Sequence, residues 1–119
     1  WNVVLDHNGG PNHVGNFCGA PIMINTETKE VYYTPVYYIL AQLSKTIRPG
    51  DIAGQTNTNK ASLDSDALHT CATINDQNLL SIQILNTTKE SIPVSLKIDN
   101  QFAEVSIDAN ALETIQIQL

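Results

Sequence analysis

Positive charge is scarce in this chain. Lys and Arg number 6 against 12 Asp and Glu, which gives a net charge of −6 and a pI near 4.7. No local cluster of basic residues offsets that balance, so nucleic acid is excluded as an expected partner. Long hydrophobic runs are also missing. None approaches the roughly 18 residues that a membrane-spanning helix needs, so the chain is expected to be soluble and not membrane-spanning. No secretory leader pattern is present. Cysteine is limited to Cys18 and Cys71, whose separation matches no metal or redox spacing. Whether they pair is left open; as thiols in a chain of ordinary apolar content, they read as small buried hydrophobes. Aromatic residues make up only 6%, and after residue 50 the single one is Phe102. What remains is 42% hydrophobic and 15% charged over 119 residues. That composition is globular and suits one ordinary domain.

The stretch Trp1 to Asn25 organises the rest. A short apolar strand, Val3-Val4-Leu5, leads into a long loop rich in Gly, Asn and His, which closes on a second apolar run from Pro21 to Ile24. A strand that delivers a polar, Gly-rich loop is a common way to present substrate-facing side chains from a rigid scaffold. The first residue is Trp and sits directly in a strand-like run, which reads as an end cut by processing or truncation. A hairpin should follow, with its turn at residues 25–29 and a return strand at Val31-Tyr32-Tyr33.

Next comes one clear helix. Thr34 suits the N-cap and Pro35 the first helical position, where its missing N–H has no partner to lose. Val36, Ile39, Leu40, Leu43 and Ile47 form one apolar stripe. Lys45 and Arg48 bring positive charge to the C-terminal end, and Pro49-Gly50 stops the helix.

From about residue 51 the pattern changes. A polar connector, residues 51–66, has room for one short strand. Alternation of period two then runs through Leu80–Ile84, Ile92–Ile98, Ala103–Ile107 and Ile115–Leu119, with a weaker candidate at Ala67–Ile74. Turn signals separate these segments at residues 75–78, 87–90, 99–100 and 108–110. Short alternating strands at this spacing predict an antiparallel β-sandwich with one face buried. Pro93 cannot donate a ladder hydrogen bond, so its strand is placed at an edge or with that position facing outward.

Several motifs in the loop and helix carry a resemblance. Trp1-Asn2, Gly9-Gly10-Pro11-Asn12, Gly15-Asn16-Phe17 and Ala20-Pro21-Ile22, followed by Ser44-Lys45-Thr46-Ile47-Arg48-Pro49-Gly50, resemble the last barrel strand, loop and helix of glycoside hydrolase family 30, the glucosylceramidase-like glycosidases. Leu85-Asn86 and Ile92-Pro93-Val94 resemble the family's C-terminal sandwich. The resemblance covers nearly the whole chain and implies a mainly β fold. Residues 1–50 would be the C-terminal piece of a (β/α)8 barrel (last strand, active-site loop, last helix) and residues 51–119 a β-sandwich domain.

The resemblance also implies an activity, retaining hydrolysis of β-glycosides. Such enzymes need two carboxyl groups about 5 Å apart, and in the family both are glutamates on barrel strands that would precede Trp1. Glu27, Glu30, Glu90, Glu104 and Glu113 read as solvated turn and strand residues, and Asp6 by itself cannot fill two roles. No catalytic residue and no activity are therefore expected in this chain alone. Instead it would bind sugar. The resemblance puts Trp1 at the C-terminal end of the last barrel strand, where barrel sites are built. Asn16 matches a family asparagine that reaches the sugar, and His13 and Phe17 flank it. Read from residue type alone, Trp1 is a core aromatic and Asn16 a turn residue beside glycine.

The implied partners are a β-glycoside, either glucosylceramide or a β-glucan, together with the missing barrel portion or a second copy. No cofactor is expected, and the implied location is secreted, periplasmic or lysosomal. A free-standing carbohydrate-binding module and a purely structural sandwich are the alternatives. The module normally presents several exposed aromatics, which the lone Phe102 does not supply. His7 and His13 with Asp6 match no usual zinc pattern, and His69 reads as a half-buried strand residue. Asn86-Thr87-Thr88 is a glycosylation sequon, compatible with a secreted protein.

Overall fold

Alternating apolar side chains in the second half and a single amphipathic stretch in the first half divide the chain into two kinds of structure. The structure, a computed structural model, describes residues 2–10, 14–59 and 66–119. It separates into two compact units, Trp1–Lys45 and Thr46–Leu119.

In the first unit, strands β1 (Val4–Asp6), β2 (Ile22–Ile24) and β3 (Val31–Tyr33) form one sheet in that order. β1 and β2 are parallel, with Leu5 opposite Met23. Parallel neighbours need a long connection, and the chain between Asp6 and Ile22 provides it here. β2 and β3 form the expected hairpin. Its turn is held by Asn25, whose Oδ1 accepts the N–H groups of Glu27 at 2.9 Å and Thr28 at 3.1 Å. Lys29 closes the turn in the left-handed region at φ 67°.

Helix α1 (Pro35–Thr46) begins where the capping signal placed it and ends one residue short of Ile47. The Thr34 hydroxyl donates backward, to the carbonyl oxygens of Ala20 and Pro21 at 3.1 Å each, and its N–H donates to Pro21 O at 2.9 Å. The start of the helix is thus tied to the entry of β2. No residue of α1 is buried, and Val36, Tyr38, Ile39 and Leu40 are exposed. Tyr37 packs at 4.5 Å against Tyr33 with the rings tilted by 48° and meets Tyr38 edge-on at 5.4 Å.

The second unit is the sandwich. Its larger sheet orders β4 (Ile52–Gly54), β5 (Leu68–Ile74), β6 (Leu79–Asn86) and β9 (Leu112–Gln118), all antiparallel. The smaller sheet pairs β7 (Ile92–Ile98) with β8 (Gln101–Ile107). Pro93 lies on β7, an edge strand as expected. Leu68, Ala72, Ile82, Ile84, Ile92 and Ile107 make the core, with Leu80, Val94, Leu96, Ile98, Val105, Ile115 and Ile117 packed against it.

Three expectations are corrected here. Alternation predicted one buried face, yet on β6 Ser81, Ile82, Gln83 and Ile84 are all buried. The polar members are tolerated because they are hydrogen-bonded. Gln83 Oε1 accepts the Cys71 thiol at 3.2 Å, Gln83 Nε2 donates to Thr46 Oγ1 at 3.1 Å, and Ser81 Oγ accepts from Gln116 at 3.0 Å. Second, the thiols are not buried: both are free, Cys18 half-buried and Cys71 exposed. Third, His69 is exposed on β5 and not half-buried.

Asn86, at the end of β6, is fully buried. Its Nδ2 donates to the carbonyls of Glu90 at 2.8 Å, Ile107 at 3.1 Å and Asp108 at 3.0 Å, while Oδ1 accepts from the N–H and hydroxyl of Thr88 at 2.9 and 2.8 Å. The sequon nitrogen is therefore a structural donor with no room for a glycan in the folded chain. Asn86→Ala should remove a donor from each of three carbonyls and an acceptor from Thr88, and destabilise the fold by about 3 kcal/mol. Asn86→Asp should cost at least as much, because it turns an oxygen toward carbonyls. Urea unfolding of the variants measures both effects, and a stability within about 0.5 kcal/mol of the parent, the size of an ordinary surface substitution, would contradict this role.

Candidate functional site

The loop between β1 and β2 is built outward from Asp6, the last residue of β1. Asp6 Oδ1 accepts the N–H groups of both Asn8 and Gly10 at 3.0 Å, and Asp6 O accepts from Gly9 N at 2.9 Å. An Asp that bonds its own backbone two residues on is a standard turn-former, and here it brackets Gly9 from both sides. His7 is held as well: its N–H donates to Ile24 O at 2.8 Å, and its Nδ1 accepts from Thr26 N at 3.3 Å.

Gly9 is the contact point of the loop. Its φ is 72°, and its carbonyl accepts the N–H of Cys18 at 3.3 Å. A Cβ at this position would lie 2.6 Å from Cys18 N and 2.9 Å from Phe17 Cδ2. Only glycine lets the returning chain approach so closely. Gly15 has the same φ of 72° but nothing within 4 Å of its would-be Cβ, so it serves the turn alone.

Between these two glycines and the closure at Cys18, Asn16 is exposed and Phe17 is 69% exposed. The site residues Trp1 and His13 lie outside the described residues. An amide that both donates and accepts, next to a solvent-facing ring, suits a ligand with hydroxyl groups around an apolar ring face.

The acidic side chains have other occupations. Asp6 serves backbone N–H groups. Glu27, Glu90 and Glu104 are exposed, and Glu113 Oε1 accepts from Asp108 N at 2.9 Å. Glu30, on the exposed hairpin, accepts from the Tyr32 hydroxyl at 2.6 Å and the Thr28 hydroxyl at 2.9 Å. The Tyr32 bond first, then Thr28, holds the Glu30 carboxyl below its ordinary range, and the same bond raises the Tyr32 phenol. A general acid in glycoside hydrolysis needs the opposite shift, so Glu30 braces a hairpin. Among the described residues, no group of three or more His, Cys, Asp and Glu side chains gathers to hold a metal ion.

Residue type alone pointed to Asn16 and Phe17 only as a turn residue and its neighbour. It missed the Asp6–Gly9 clasp, although Asp6 followed by Asn8-Gly9-Gly10 carries a turn signal that could have disclosed it.

Two outcomes are expected. Gly9→Ala should destabilise by about 3 kcal/mol and Gly15→Ala by about 1 kcal/mol, because both meet the left-handed backbone cost and only the first meets atoms; equal losses in urea unfolding would contradict the close contact. Tyr32→Phe should raise the Glu30 titration midpoint toward the ordinary glutamate range in an NMR pH series. Because the shift in the parent is downward, any stability it carries is present at neutral pH and lost as pH falls through the Glu30 midpoint.

Comparison with known proteins places this geometry in context. The family model for the glycosyl hydrolase family 30 TIM-barrel domain matches residues 1–47, and that for the glycosyl hydrolase family 30 beta sandwich domain matches residues 52–115. Putative glucosylceramidase 4 of Caenorhabditis elegans is 31% identical over 119 residues, covering 97% of this chain and 22% of the relative. Lysosomal acid glucosylceramidase of Mus musculus is 32% identical over 96 residues, covering 81% of this chain and 18% of the relative. Among solved structures, SrfJ from Salmonella typhimurium matches with a TM-score of 0.88 at 19% identity, over 100% of this chain and 26% of that one. An endo-beta1,6-glucanase matches with a TM-score of 0.81 at 21% identity, over 98% and 26%. The chain thus spans about a fifth of the length of the curated relatives it matches.

Proposed function

The chain belongs to glycosyl hydrolase family 30, and from that premise we propose that it is the C-terminal segment of a retaining, glucosylceramidase-like β-glycosidase. In this reading residues 1–50 complete the barrel and residues 51–119 form the stabilising β-sandwich. The segment supplies sugar contacts from Asn16, with Trp1 as a stacking surface and Phe17 and His13 at the entrance. Both catalytic glutamates come from barrel strands on the remainder of the enzyme, and the segment alone is inactive. The substrate is a β-glycoside. Glucosylceramide is favoured by the similarity to glucosylceramidases, with β-glucan second, and the lysosomal relative favours a lysosomal or secreted location.

One observation carries the reading: the two family models follow each other along one continuous chain, with the exposed Asn16–Phe17 pair on the loop of the barrel part. A free-standing binding module is disfavoured because the matches run through both parts. Support also comes from α1, whose apolar stripe and tyrosine cluster are uncovered in the first unit. One barrel strand and one helix cannot close a barrel, so this surface calls for the rest of the barrel or for a second copy of the chain.

The test compares the isolated chain with the full-length enzyme carrying it. The isolated chain should hydrolyse no β-glucoside, whereas the full-length enzyme should. In the latter, Asn16→Ala should lower kcat/KM by about tenfold, the loss of one well-placed hydrogen bond. Hydrolysis by the isolated chain, or an Asn16→Ala enzyme with parental kcat/KM, would sink the corresponding part of the proposal.

A further inference from the structure

Asn16 and Phe17 are too exposed to be held in place by their own packing, so whatever fixes them must act through the backbone. We infer that Asp6 is a positioning residue for sugar recognition, which sets the location of Asn16 and Phe17 by way of Gly9. The inference rests on the assignment of those two side chains as sugar contacts in the proposed function.

The path is continuous and short. Asp6 closes a strand whose register is fixed by pairing of Leu5 with Met23 and of Asp6 with Ile24. From that strand its carboxylate takes the N–H groups before and after Gly9, and its carbonyl takes the N–H of Gly9 itself. Three hydrogen bonds to one residue thus bracket Gly9 on both sides, which gives it one well-defined place. Gly9 then fixes the far side of the loop twice, by accepting the Cys18 N–H at 3.3 Å and by seating the Phe17 ring edge against its bare Cα. Cys18 adds a long thiol contact, 3.9 Å, to the carbonyl of Asn16. Asn16 therefore directly precedes Phe17 and Cys18, the two residues that Gly9 and, through it, Asp6 hold in place. The carboxylate itself transfers no proton and touches no substrate.

Geometry, and not negative charge, is what this role requires. Asparagine retains an Oδ1 acceptor at the same reach, so Asp6→Asn should replace aspartate. Glutamate keeps the charge but carries the oxygens one methylene too far, so Asp6→Glu should fail with Asp6→Ala. The experiment measures kcat and KM of the full-length enzyme on 4-nitrophenyl β-glucoside for these variants, for Asn16→Ala, and for the double variants with Asn16→Ala.

Displacing a contact group by about 1 Å can cost up to about a hundredfold. Asp6→Ala and Asp6→Glu should lower kcat/KM by about tenfold or more, whereas Asp6→Asn stays within about threefold of the parent. In the Asn16→Ala background the same Asp6 substitutions should have much smaller effects, because the group they position is gone. Effects of Asp6 that multiply fully with Asn16→Ala, or an Asp6→Asn enzyme as impaired as Asp6→Glu, overturn the inference. Should Asp6→Ala fail to fold, the contrast between Asp6→Asn and Asp6→Glu decides the question alone. A parental kcat/KM for Asn16→Ala overturns the sugar-contact assignment and this inference together. An impaired Asn16→Ala beside parental Asp6→Glu overturns this inference only.

Discussion

The buried amide of Asn86 joins what the strands by themselves leave separate. β6 belongs to the four-stranded sheet and β8 to the two-stranded one, and the backbone ladders run within each sheet but not between them. Asn86 sits at the end of β6 and reaches the last carbonyl of β8, the carbonyl that follows it, and the turn that leads into β7. A buried carbonyl without a donor is expensive, and Asn86 supplies donors here together with the Thr88 hydroxyl at Glu90 and the Ser91 hydroxyl at Ile107. The apolar core from Leu68 to Ile107 supplies the bulk of the driving force, and the amide decides how the two layers meet at that end.

The first unit is organised by a different economy. Leu5 and Ala20 are its buried hydrophobic side chains among the described residues, while most of α1 and β3 faces solvent. Its order comes from hydrogen bonds that link distant backbone: Thr34 to Ala20 and Pro21, His7 to Ile24 and Thr26, Gly9 to Cys18. These bonds fix a loop without filling a core. That is the character expected of a binding segment mounted on strand ends, and it explains how an exposed amide and an exposed ring can have defined positions.

Most of the fold was legible because it depends on local periodicity. The stripe on α1, the Thr34-Pro35 start and the alternation along β6 to β9 are set by neighbours within a few residues, and the structure follows them closely. The two-sided burial of β6 was not legible, since Ser81 and Gln83 look solvent-facing until Gln116, Cys71 and Thr46 are brought beside them. Asn86 was read as part of a sequon because its acceptors lie as far off as Ile107 and Asp108. The exposure of Cys71 and His69 is likewise a property of the sheet and not of the residue types. In the loop, Asn16 stood out by its match to a family motif, whereas Asp6 acts through N–H groups that no side-chain pattern reveals.

Strand order also has a consequence in time. β9 pairs with β6 and not with its sequence neighbour β8, so the hairpin of β7 and β8 must be passed over before the larger sheet gains its fourth strand. During synthesis, β5 and β6 can pair as soon as they emerge, but Leu80, Ile82 and Ile84 wait for β9, which is translated only after the β7–β8 hairpin. Until then the nascent sheet has an open edge along β6, the strand that later becomes its most buried. The interval between synthesis of β6 and of β9 is therefore when this chain is most exposed to pairing with the wrong partner.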